Sequence, residues 1–553
     1  MSLVDRRIGL LFAGFLLLLS IAFGRALYLG TIKGDNLARA ATSQQTATEV
    51  VPPRRGTILD RRGVELAVSE PASDISVTPY LVKDPVAAAK RLAPLLGRPV
   101  PELTTAIARR DTGFVYLKRE LPATRADRVR RLNIAGIALA PSERRQYPRR
   151  WLAAQVLGMV GTDGDGMAGL ERGRNRALTG AAGVRRSVRD ALGEDLEVRD
   201  VEPAVDGQDV TLTIDAQIQD RTEAVLHDLG AKFAPKGASA VVLDPRTGQV
   251  LAMANWPQID ANAPGRAPVG ARRNLATNFT YEPGSTFKAF TVAGALEDNT
   301  VTPRQPFTLN PTIQVADRVI NESHPRGTET LTTTQILAQS SNVGAVTIGL
   351  KMGKVRFDAW TRRFGFGKAT GIDLPGEERG LSLPVAKYSG STMGNLPIGQ
   401  GQLVTQMQVS TAYAALANGG ILRPARVVRA VGGRPVATPA GRRVVSEQTA
   451  RQVRNMLEGV FSPGGTAQEV TVPGYSLAGK TGTANKFDVK LGEYSKAKYV
   501  ASFVGFAPAK TPELLISVMV DEPQGQIYGA QVAAPAFGKI AAFALPYLKI
   551  APR

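Results

Sequence analysis

The sequence predicts an α/β protein: an antiparallel sheet flanked by helices at the C-terminal end, an elongated α+β segment before it, and one N-terminal transmembrane helix. Three patterns lead to this prediction. An apolar run opens the chain, short strand and helix patterns alternate over residues 75–183, and hairpin signals separated by helical patterns follow residue 210. With 553 residues, the chain has room for two or three domains with cores of their own.

The N-terminal segment predicts a membrane anchor at residues 8–29. Arg6 and Arg7 precede this segment, which is apolar apart from Gly and Ser positions and Arg25. If Arg25 extends its charge to the interface, the helix spans about 33 Å, enough to cross a hydrocarbon core of roughly 30 Å. The arginine pair predicts that the N-terminus faces the cytoplasm and that the rest of the chain lies outside.

A cleaved signal peptide is the competing interpretation of this segment. Ala22 and Gly24 are small residues of the kind found at a cleavage site, but the apolar run is at the long end for a signal core. We therefore expect residues 1–7 to form a cytoplasmic tail and residues 8–29 an uncleaved anchor. Both interpretations export the bulk of the chain.

Residues 30–209 predict a pedestal without catalytic residues. A polar linker is expected over residues 31–53, followed by a strand, a turn and a second strand over residues 55–67. Helix signals follow at residues 85–97, 101–109, 123–132 and from 169 onward. Because no catalytic constellation occurs here, the segment is expected to support the following domain and to bind partners.

Residues 210–553 predict the sheet and its helices. A helix capped by Asp215 and a C-terminal helix are expected to flank the strands, which are predicted at residues 239–243, 249–254, 478–483, 499–506 and 513–520. The polar segment 485–498 lies between two of these strands. It predicts a surface loop, either a mobile lip beside a site or a loop without a role.

Ser285 is the candidate nucleophile. It follows Pro283 and Gly284 at the predicted start of a helix, and Lys288 lies one turn further on the same face. An ordinary lysine is a poor base at pH 7, so burial and a second cation would have to lower its pKa by about 3 units. Taken alone, the S-x-x-K pattern is weak, because a helix cap followed by a solvated lysine produces it equally well.

Two downstream segments strengthen this interpretation. Ser340 and Asn342 place a hydroxyl and an amide two positions apart, 52 residues after Lys288. Lys480 then begins a Lys-Thr-Gly-Thr run in a predicted strand of small residues, against which a substrate backbone can lie. Lys480 is therefore the candidate second cation.

Composition excludes several other chemistries. The chain has no cysteine and two histidines far apart in sequence, so thiol chemistry, disulfides and a Cys/His zinc site are excluded. No carboxylate cluster suggests another metal, and no cofactor is expected. The net charge of +20 comes mostly from scattered arginines without interleaved aromatics, which disfavours nucleic acid. A surface facing anionic lipid or an anionic wall polymer, or plain compositional bias, explains the charge.

The three motifs, S-x-x-K at Ser285, S-x-N at Ser340 and K-T-G at Lys480, are in the order typical of penicillin-recognising serine transferases and hydrolases, which the chain resembles. The run R-G-x-I-x-D-R-x-G at Arg55 and the G-L-E box at Gly169 resemble the membrane-proximal module of class B penicillin-binding proteins. For both boxes the preferred interpretation is structural, without chemistry of their own.

The resemblance implies a role for each residue of the first two motifs. Ser285 is the acylated nucleophile and Lys288 its base. Ser340 relays a proton between the amines and the leaving group. Asn342 binds the amide of the substrate peptide.

It also implies roles for the third motif. Lys480 keeps Lys288 neutral and raises the local positive potential, and the hydroxyls of Thr481 and Thr483 bind a substrate carboxylate. Gly482 is small so that the substrate can approach the backbone. The backbone N–H groups of Ser285 and Thr483 form the oxyanion hole.

The implied activity is that of a peptidoglycan D,D-transpeptidase that cross-links stem peptides and is inhibited by β-lactams. The motifs are more similar to the division-type, FtsI-like branch than to the elongation branch, so the implied partners are an FtsW-type glycosyltransferase and other divisome membrane proteins. A β-lactamase would not carry the pedestal and anchor. A scaffold or β-lactam sensor would need a damaged motif or a cytoplasmic signalling region.

Overall fold

The computed structural model describes residues 3–33, 46–189, 195–488, 490 and 492–552. Helix α1 (Leu3–Leu27) opens the chain and continues through a π-helical turn to Ile32. Within these ranges, Arg6–Ile32 is the one helical segment long and apolar enough to cross a membrane. None of it is buried inside the protein, as expected of a helix whose apolar surface faces lipid.

An α+β module follows. Its elements, in chain order, are β1 (Thr46–Val51), β2 (Ile58–Leu59), β3 (Glu65–Val77), α2 (Pro85–Leu96), α3 (Val100–Ala108), β4 (Val115–Pro122), α4 (Ala123–Arg131), β5 (Ile137–Gln146), α5 (Ala154–Leu157), β6 (Met159–Val160), β7 (Gly166–Ala168), α6 (Gly169–Gly173), α7 (Asn175–Thr179), β8 (Gly183–Arg189) and β9 (Asp195–Glu202). The predicted helices are confirmed. Asp84 caps α2 by accepting from two backbone N–H groups, and Gly97 ends it in a left-handed conformation.

The expected linker is partly a strand. β1 pairs antiparallel with β8, which pairs with β9, so the three form a small sheet. The linker prediction is therefore wrong for residues 46–51, because pairing with a segment more than 130 residues away leaves no local signal. Residues 34–45 lie outside the described part of the chain.

The C-terminal part contains the remaining elements. They are β10 (Val210–Leu212), α8 (Ala216–Phe233), β11 (Gly237–Leu243), β12 (Val250–Trp256), α9 (Leu275–Asn278), β13 (Thr280–Tyr281), α10 (Lys288–Glu297), β14 (Pro306–Leu309), β15 (Thr312–Val315), β16 (Arg318–Asn321), β17 (Glu329–Thr332), α11 (Thr333–Ala338), α12 (Asn342–Met352), α13 (Lys354–Arg363), α14 (Thr392–Asn395), β18 (Val404–Thr405), α15 (Gln406–Ala417), β19 (Ile421–Leu422), β20 (Val428–Val431), β21 (Arg434–Pro435), β22 (Arg442–Arg443), α16 (Glu447–Glu458), β23 (Ala478–Asp488), β24 (Glu493–Ala507), β25 (Leu514–Asp521), α17 (Gly529–Val532) and α18 (Ala534–Tyr547).

The central sheet has the antiparallel order β12-β11-β25-β24-β23. Alternate side chains of each strand enter two different cores, as the strand period requires. On β11, Ala240 and Val242 pack with α8 and α18, whereas Val241 and Leu243 belong to the core that contains α10 and α15. The predicted α/β fold, an antiparallel sheet flanked by helices, is confirmed. β23 and β12 are the two edge strands.

The two parts of the chain share a sheet and a core. β10 pairs in parallel with β2 and antiparallel with β20, so strands from both sides of residue 210 form one sheet. Ile58 and Val210 belong to one buried cluster. Asp60 accepts a hydrogen bond from the backbone N of Ala216, the first residue of α8. The α+β module is therefore joined to the central domain by backbone pairing as well as side-chain packing.

The two N-terminal boxes meet in a buried ion-pair cluster. The Glu171 carboxylate accepts from Arg55 Nε at 2.7 Å and from Arg145 Nε at 2.7 Å. The Glu171 side chain is 0% exposed, and the two arginines are 7% and 6% exposed. One carboxylate thus compensates two buried guanidinium groups, which gives Arg55 and Glu171 the structural role expected for their motifs.

Candidate active site

Ser285 lies in a 3-10 turn, Gly284–Phe287, that leads directly into α10. The predicted helix start is confirmed, with the α-helical part beginning at Lys288. Gly284 adopts φ +56° and donates its N–H to Gly399 O at 3.1 Å, which holds the turn in place. Ser285 is half-buried, and its Oγ makes no hydrogen bond to any residue that the structure describes. The hydroxyl is therefore available to react.

Lys288 is buried at the start of α10, with 1% of its surface exposed. Its Nζ donates to Ser340 O at 2.6 Å, to Asn342 Oδ1 at 2.6 Å and to Ser340 Oγ at 3.2 Å. The first two motifs of the sequence thus meet at one amine. The Ser340 hydroxyl is close enough to exchange a proton with it.

The two lysines have strongly perturbed pKa values. Burial, and then the positive charge of Lys480, hold the pKa of Lys288 well below its usual range, although Glu322 opposes this effect. Burial lowers the pKa of Lys480 to about 7. Lys480 lies on β23, fully buried, and donates to Thr481 O at 3.2 Å. A neutral amine near pH 7 is therefore accessible at this site.

Ser340 and Asn342 are held by local backbone geometry. Ser340 has φ +61°, a left-handed conformation that costs a non-glycine residue about 1–3 kcal/mol. This conformation accompanies the contact between its carbonyl and Lys288. Asn342 is the first residue of α12, which Ser341 caps by accepting from Gly344 N. The Asn342 Nδ2 donates to Asn321 O at 2.9 Å, so both ends of its amide are engaged inside the protein.

The third motif forms the middle of β23 and lies against the Ser285 turn. A Cβ added to Gly482 would lie 2.4 Å from Ser502 Oγ and 3.0 Å from Pro283 O. Close packing within the protein therefore already requires a glycine here, independently of the predicted substrate approach. Thr483 Oγ1 accepts from Gly529 N at 3.0 Å, which leaves its O–H free to donate.

Thr481 is the more deeply placed of the two threonines. It is 7% exposed, and its Oγ1 shares a hydrogen bond of 2.9 Å with Thr466 Oγ1. The Lys480 Nζ also lies 3.4 Å from that oxygen. The three motifs thus converge, with the Ser285 turn against β23 and Lys288 between that turn and the start of α12.

Glu322 was not identified from the sequence. Its side chain is 3% exposed, accepts from the backbone N of Asn342 at 2.7 Å and from the Ser341 hydroxyl, and pairs with Arg326 at 3.4 Å. A carboxylate at this helix N-terminus stabilises the start of α12 and so positions Asn342. It lies in a polar stretch after β16 that has no periodic pattern, so the sequence contained no signal for it.

The segment 485–498 is not a simple loop. Residues 485–488 extend β23 and residues 493–498 extend β24, with Phe487 paired to Tyr494 in the ladder, so the loop prediction is wrong for them. The Tyr494 hydroxyl donates to Glu282 Oε1 at 2.9 Å, which also accepts from Gly401 N. The hairpin is thereby attached to the residue that begins the Glu-Pro-Gly-Ser run.

No group of three or more His, Asp or Glu side chains is placed to hold a metal ion in the described ranges. The arrangement combines a free serine hydroxyl, a buried lysine of lowered pKa and a second buried lysine. These groups are suited to acyl transfer through a serine ester.

Family models match most of the chain. The model of the penicillin binding protein transpeptidase domain matches residues 238–542, and that of the penicillin-binding protein dimerisation domain matches residues 50–212. Peptidoglycan D,D-transpeptidase FtsI of Escherichia coli is 34% identical, over 100% of this chain and 93% of the relative. Stage V sporulation protein D of Bacillus subtilis is 34% identical, over 95% of this chain and 83% of the relative.

Solved structures agree with these similarities. Penicillin binding protein 3 of Mycobacterium tuberculosis, complexed with aztreonam, matches with a TM-score of 0.71 and 30% identity, over 91% of this chain and 98% of that one. A peptidoglycan synthetase from Bifidobacterium adolescentis matches with a TM-score of 0.73 and 28% identity, over 92% and 98%.

Proposed function

We propose that this chain, which belongs to the class B penicillin-binding proteins and is a peptidoglycan D,D-transpeptidase, cross-links stem peptides at the division septum. The proposed intermediate is an acyl ester on Ser285. Proteins of this family bind stem peptides and β-lactams. One observation carries the assignment to Ser285. Lys288 lies one turn away, and its pKa is lowered by burial and by the charge of Lys480. The Ser285 hydroxyl makes no hydrogen bond to a described residue, so it is free to react.

The proposed reaction has two half-reactions. Neutral Lys288 accepts the proton of Ser285 as Oγ attacks the carbonyl of the penultimate D-alanine. The C–N bond breaks, the terminal D-alanine leaves with a proton relayed through Ser340, and the acyl ester remains. An amine of a neighbouring stem then attacks the ester and its proton returns to the site, which restores Ser285 and forms the cross-link.

The other motif residues bind and orient the donor. The free O–H of Thr483, supported by Lys480 and Thr481, is suited to bind the terminal carboxylate. Asn342 would exchange an internal hydrogen bond for one to the peptide. The N–H groups of Ser285 and Thr483 are the proposed oxyanion hole, in which one donor is typically worth about 10²–10³ in rate.

The rate of acylation by a β-lactam is expected to follow a bell-shaped pH profile. Since Lys288 must be neutral, the rate rises as pH increases through its lowered pKa. Since Lys480 must be charged, the rate falls above its pKa of about 7. Stopped-flow measurement of the second-order acylation rate constant with a chromogenic cephalosporin, from about pH 5 to about pH 10, tests this profile.

Lys480→Arg is the matched variant for the alkaline limb. It keeps the positive charge but cannot lose it in this pH range, so the falling limb should disappear even if the maximal rate is lower. A falling limb that stays near pH 7 in Lys480→Arg would contradict the role proposed for Lys480.

The septal role rests on similarity. FtsI of Escherichia coli is a relative over the whole chain, and residues 281–284 and 340–344 resemble the division branch. The elongation branch is the alternative. Depletion in a rod-shaped host should produce filaments, because septal cross-linking stops while side-wall growth continues. Round cells after depletion would assign the protein to elongation instead.

We also propose the topology and domain limits. Residues 1–7 are cytoplasmic and residues 8–29 form a single-pass anchor. The pedestal (30–209) and the transpeptidase domain (210–553) lie outside the cell membrane. The proposed partner within the membrane is an FtsW-type glycosyltransferase. The chain has no cysteine, so single introduced cysteines report sidedness without background. An impermeant maleimide is expected to label Thr302→Cys on intact spheroplasts. If this cysteine is protected from labelling, the proposed orientation is wrong.

A further inference from the structure

A cavity lies at the end of α10 opposite Ser285. Its volume is about 800 Å³, within the range of small-molecule sites. Asp298, which follows α10, lies in its wall, together with parts of α13, α15 and the segment around β19 and β22. Since α10 has ten residues, with a rise of about 1.5 Å each, Asp298 lies about 15 Å along the helix from the Ser285 turn. No residue proposed for acyl transfer lines it.

The cavity walls are strongly basic. Asp298 is the one carboxylate that lines the cavity, and it already accepts from the indole Nε1 of Trp360 at 2.9 Å. Only Arg362 among the lining cations has an ion-pair partner in the described part of the chain, Asp358. The lining cations are Arg356, Arg362, Arg363, Lys368, Arg423 and Arg442.

Two of these charges, Arg363 and Arg442, repel each other. Burial, and then the charge of Arg363, lower the pKa of Arg442. Arg363 itself stacks over Trp360, with 5.1 Å from its Cζ to the ring centroid, and donates only to a backbone carbonyl. The Nε of Arg423 is buried without a hydrogen-bond partner.

The other nearby carboxylate lies outside the cavity lining. Glu297 lies close enough for Arg363 to lower its pKa, but it accepts from the backbone N and the hydroxyl of Ser446. Most of these cations are exposed, and a cleft lined by charges of one sign focuses their field and raises the local concentration of oppositely charged ligands. The cavity is therefore prepared for a multiply charged anion.

We propose that this cavity binds a diphosphate group, either free or as the headgroup of a lipid. Guanidinium groups bind phosphate oxygens through paired, charge-assisted hydrogen bonds, and a diphosphate can engage several of them at once. A single carboxylate would leave most of the cations unpaired. The volume exceeds that of a diphosphate, so an attached group can lie along the Trp360 wall.

Titration calorimetry of the full chain in a neutral detergent tests the proposal. Inorganic pyrophosphate is expected to bind, and more tightly than phosphate or acetate. Arg363→Gln combined with Arg442→Gln should weaken pyrophosphate binding by about tenfold or more, because each charge-assisted hydrogen bond contributes on this scale. Arg221→Gln, which removes an exposed charge on α8 outside the cavity, should leave the affinity unchanged.

Three results would overturn the proposal: no pyrophosphate binding by the folded wild type, unchanged affinity in the double variant, or acetate binding as tight as pyrophosphate binding. If the double variant does not fold, the single variant Arg423→Gln gives the same test, since its Nε is without a partner.

Farnesyl diphosphate distinguishes the two sources of the group. Tighter binding of farnesyl diphosphate than of pyrophosphate, lost in the double variant, assigns the site to a lipid headgroup. Equal affinities assign it to a free diphosphate. Farnesol in the same micelles is the control for insertion of the hydrocarbon chain alone.

Discussion

Ser285→Ala is expected to abolish the covalent adduct with benzylpenicillin, whereas the intact mass of the wild-type chain should increase by that of one penicillin. No other group replaces the lost nucleophile, because Lys288 is buried and its amine is directed to Ser340 and Asn342. Intact-mass spectrometry of the full chain after exposure to the antibiotic measures both outcomes.

The control for this experiment is Ser389→Ala, which removes an exposed hydroxyl and should keep the adduct. An adduct on Ser285→Ala would move the nucleophile to another residue. If the folded wild type forms no adduct, even with its membrane partner present, the acyl-serine mechanism fails. Release of the adduct over hours would separate a transpeptidase from an efficient β-lactamase, which hydrolyses the ester rapidly.

Glu171→Ala is expected to lower the free energy of unfolding by about 3–5 kcal/mol. The substitution leaves the Arg55 and Arg145 guanidinium groups buried without their shared carboxylate. The hydrogen bond from Arg55 to the backbone carbonyl of residue 171 remains, so the expected loss comes from the carboxylate contacts. Urea denaturation of the full chain in detergent, followed by tryptophan fluorescence and circular dichroism, measures the change.

Glu102→Ala is the matched control, because the Arg98–Glu102 pair has the same chemistry at the surface. The Glu102 side chain is 56% exposed, and such pairs contribute at most about 1 kcal/mol. A Glu171→Ala variant no less stable than Glu102→Ala would show that the buried cluster does not support the fold.

Local signals explain which elements could be predicted. Asp84 and Gly97 determine the ends of α2 through hydrogen bonds and a backbone conformation that involve near neighbours only. Pairing partners far along the chain leave no such signal. Residues 46–51 form a strand because they pair with β8, and residues 485–488 form a strand because they pair with β24. Their polar composition is nevertheless typical of linkers and loops.

The candidate site divides in the same way. The sequence shows the spacing of Ser285 and Lys288 and offers Lys480 as a second lysine. It also supports the expectation that Lys480 lowers the pKa of Lys288. The contacts of Glu322 with Asn342 and of Glu282 with Tyr494 had no local signal, because each forms only after the chain folds back on itself.

The α/β class, the apolar N-terminal helix, the three motifs and the family that they indicate could be predicted before folding, because these depend on residue type, period and order. The burial of Lys288 and Lys480, the lack of room for a side chain at Gly482 and the contact between Arg55 and Glu171 emerge from the folded chain. Those properties depend on desolvation and on contacts between distant segments, which packing alone creates.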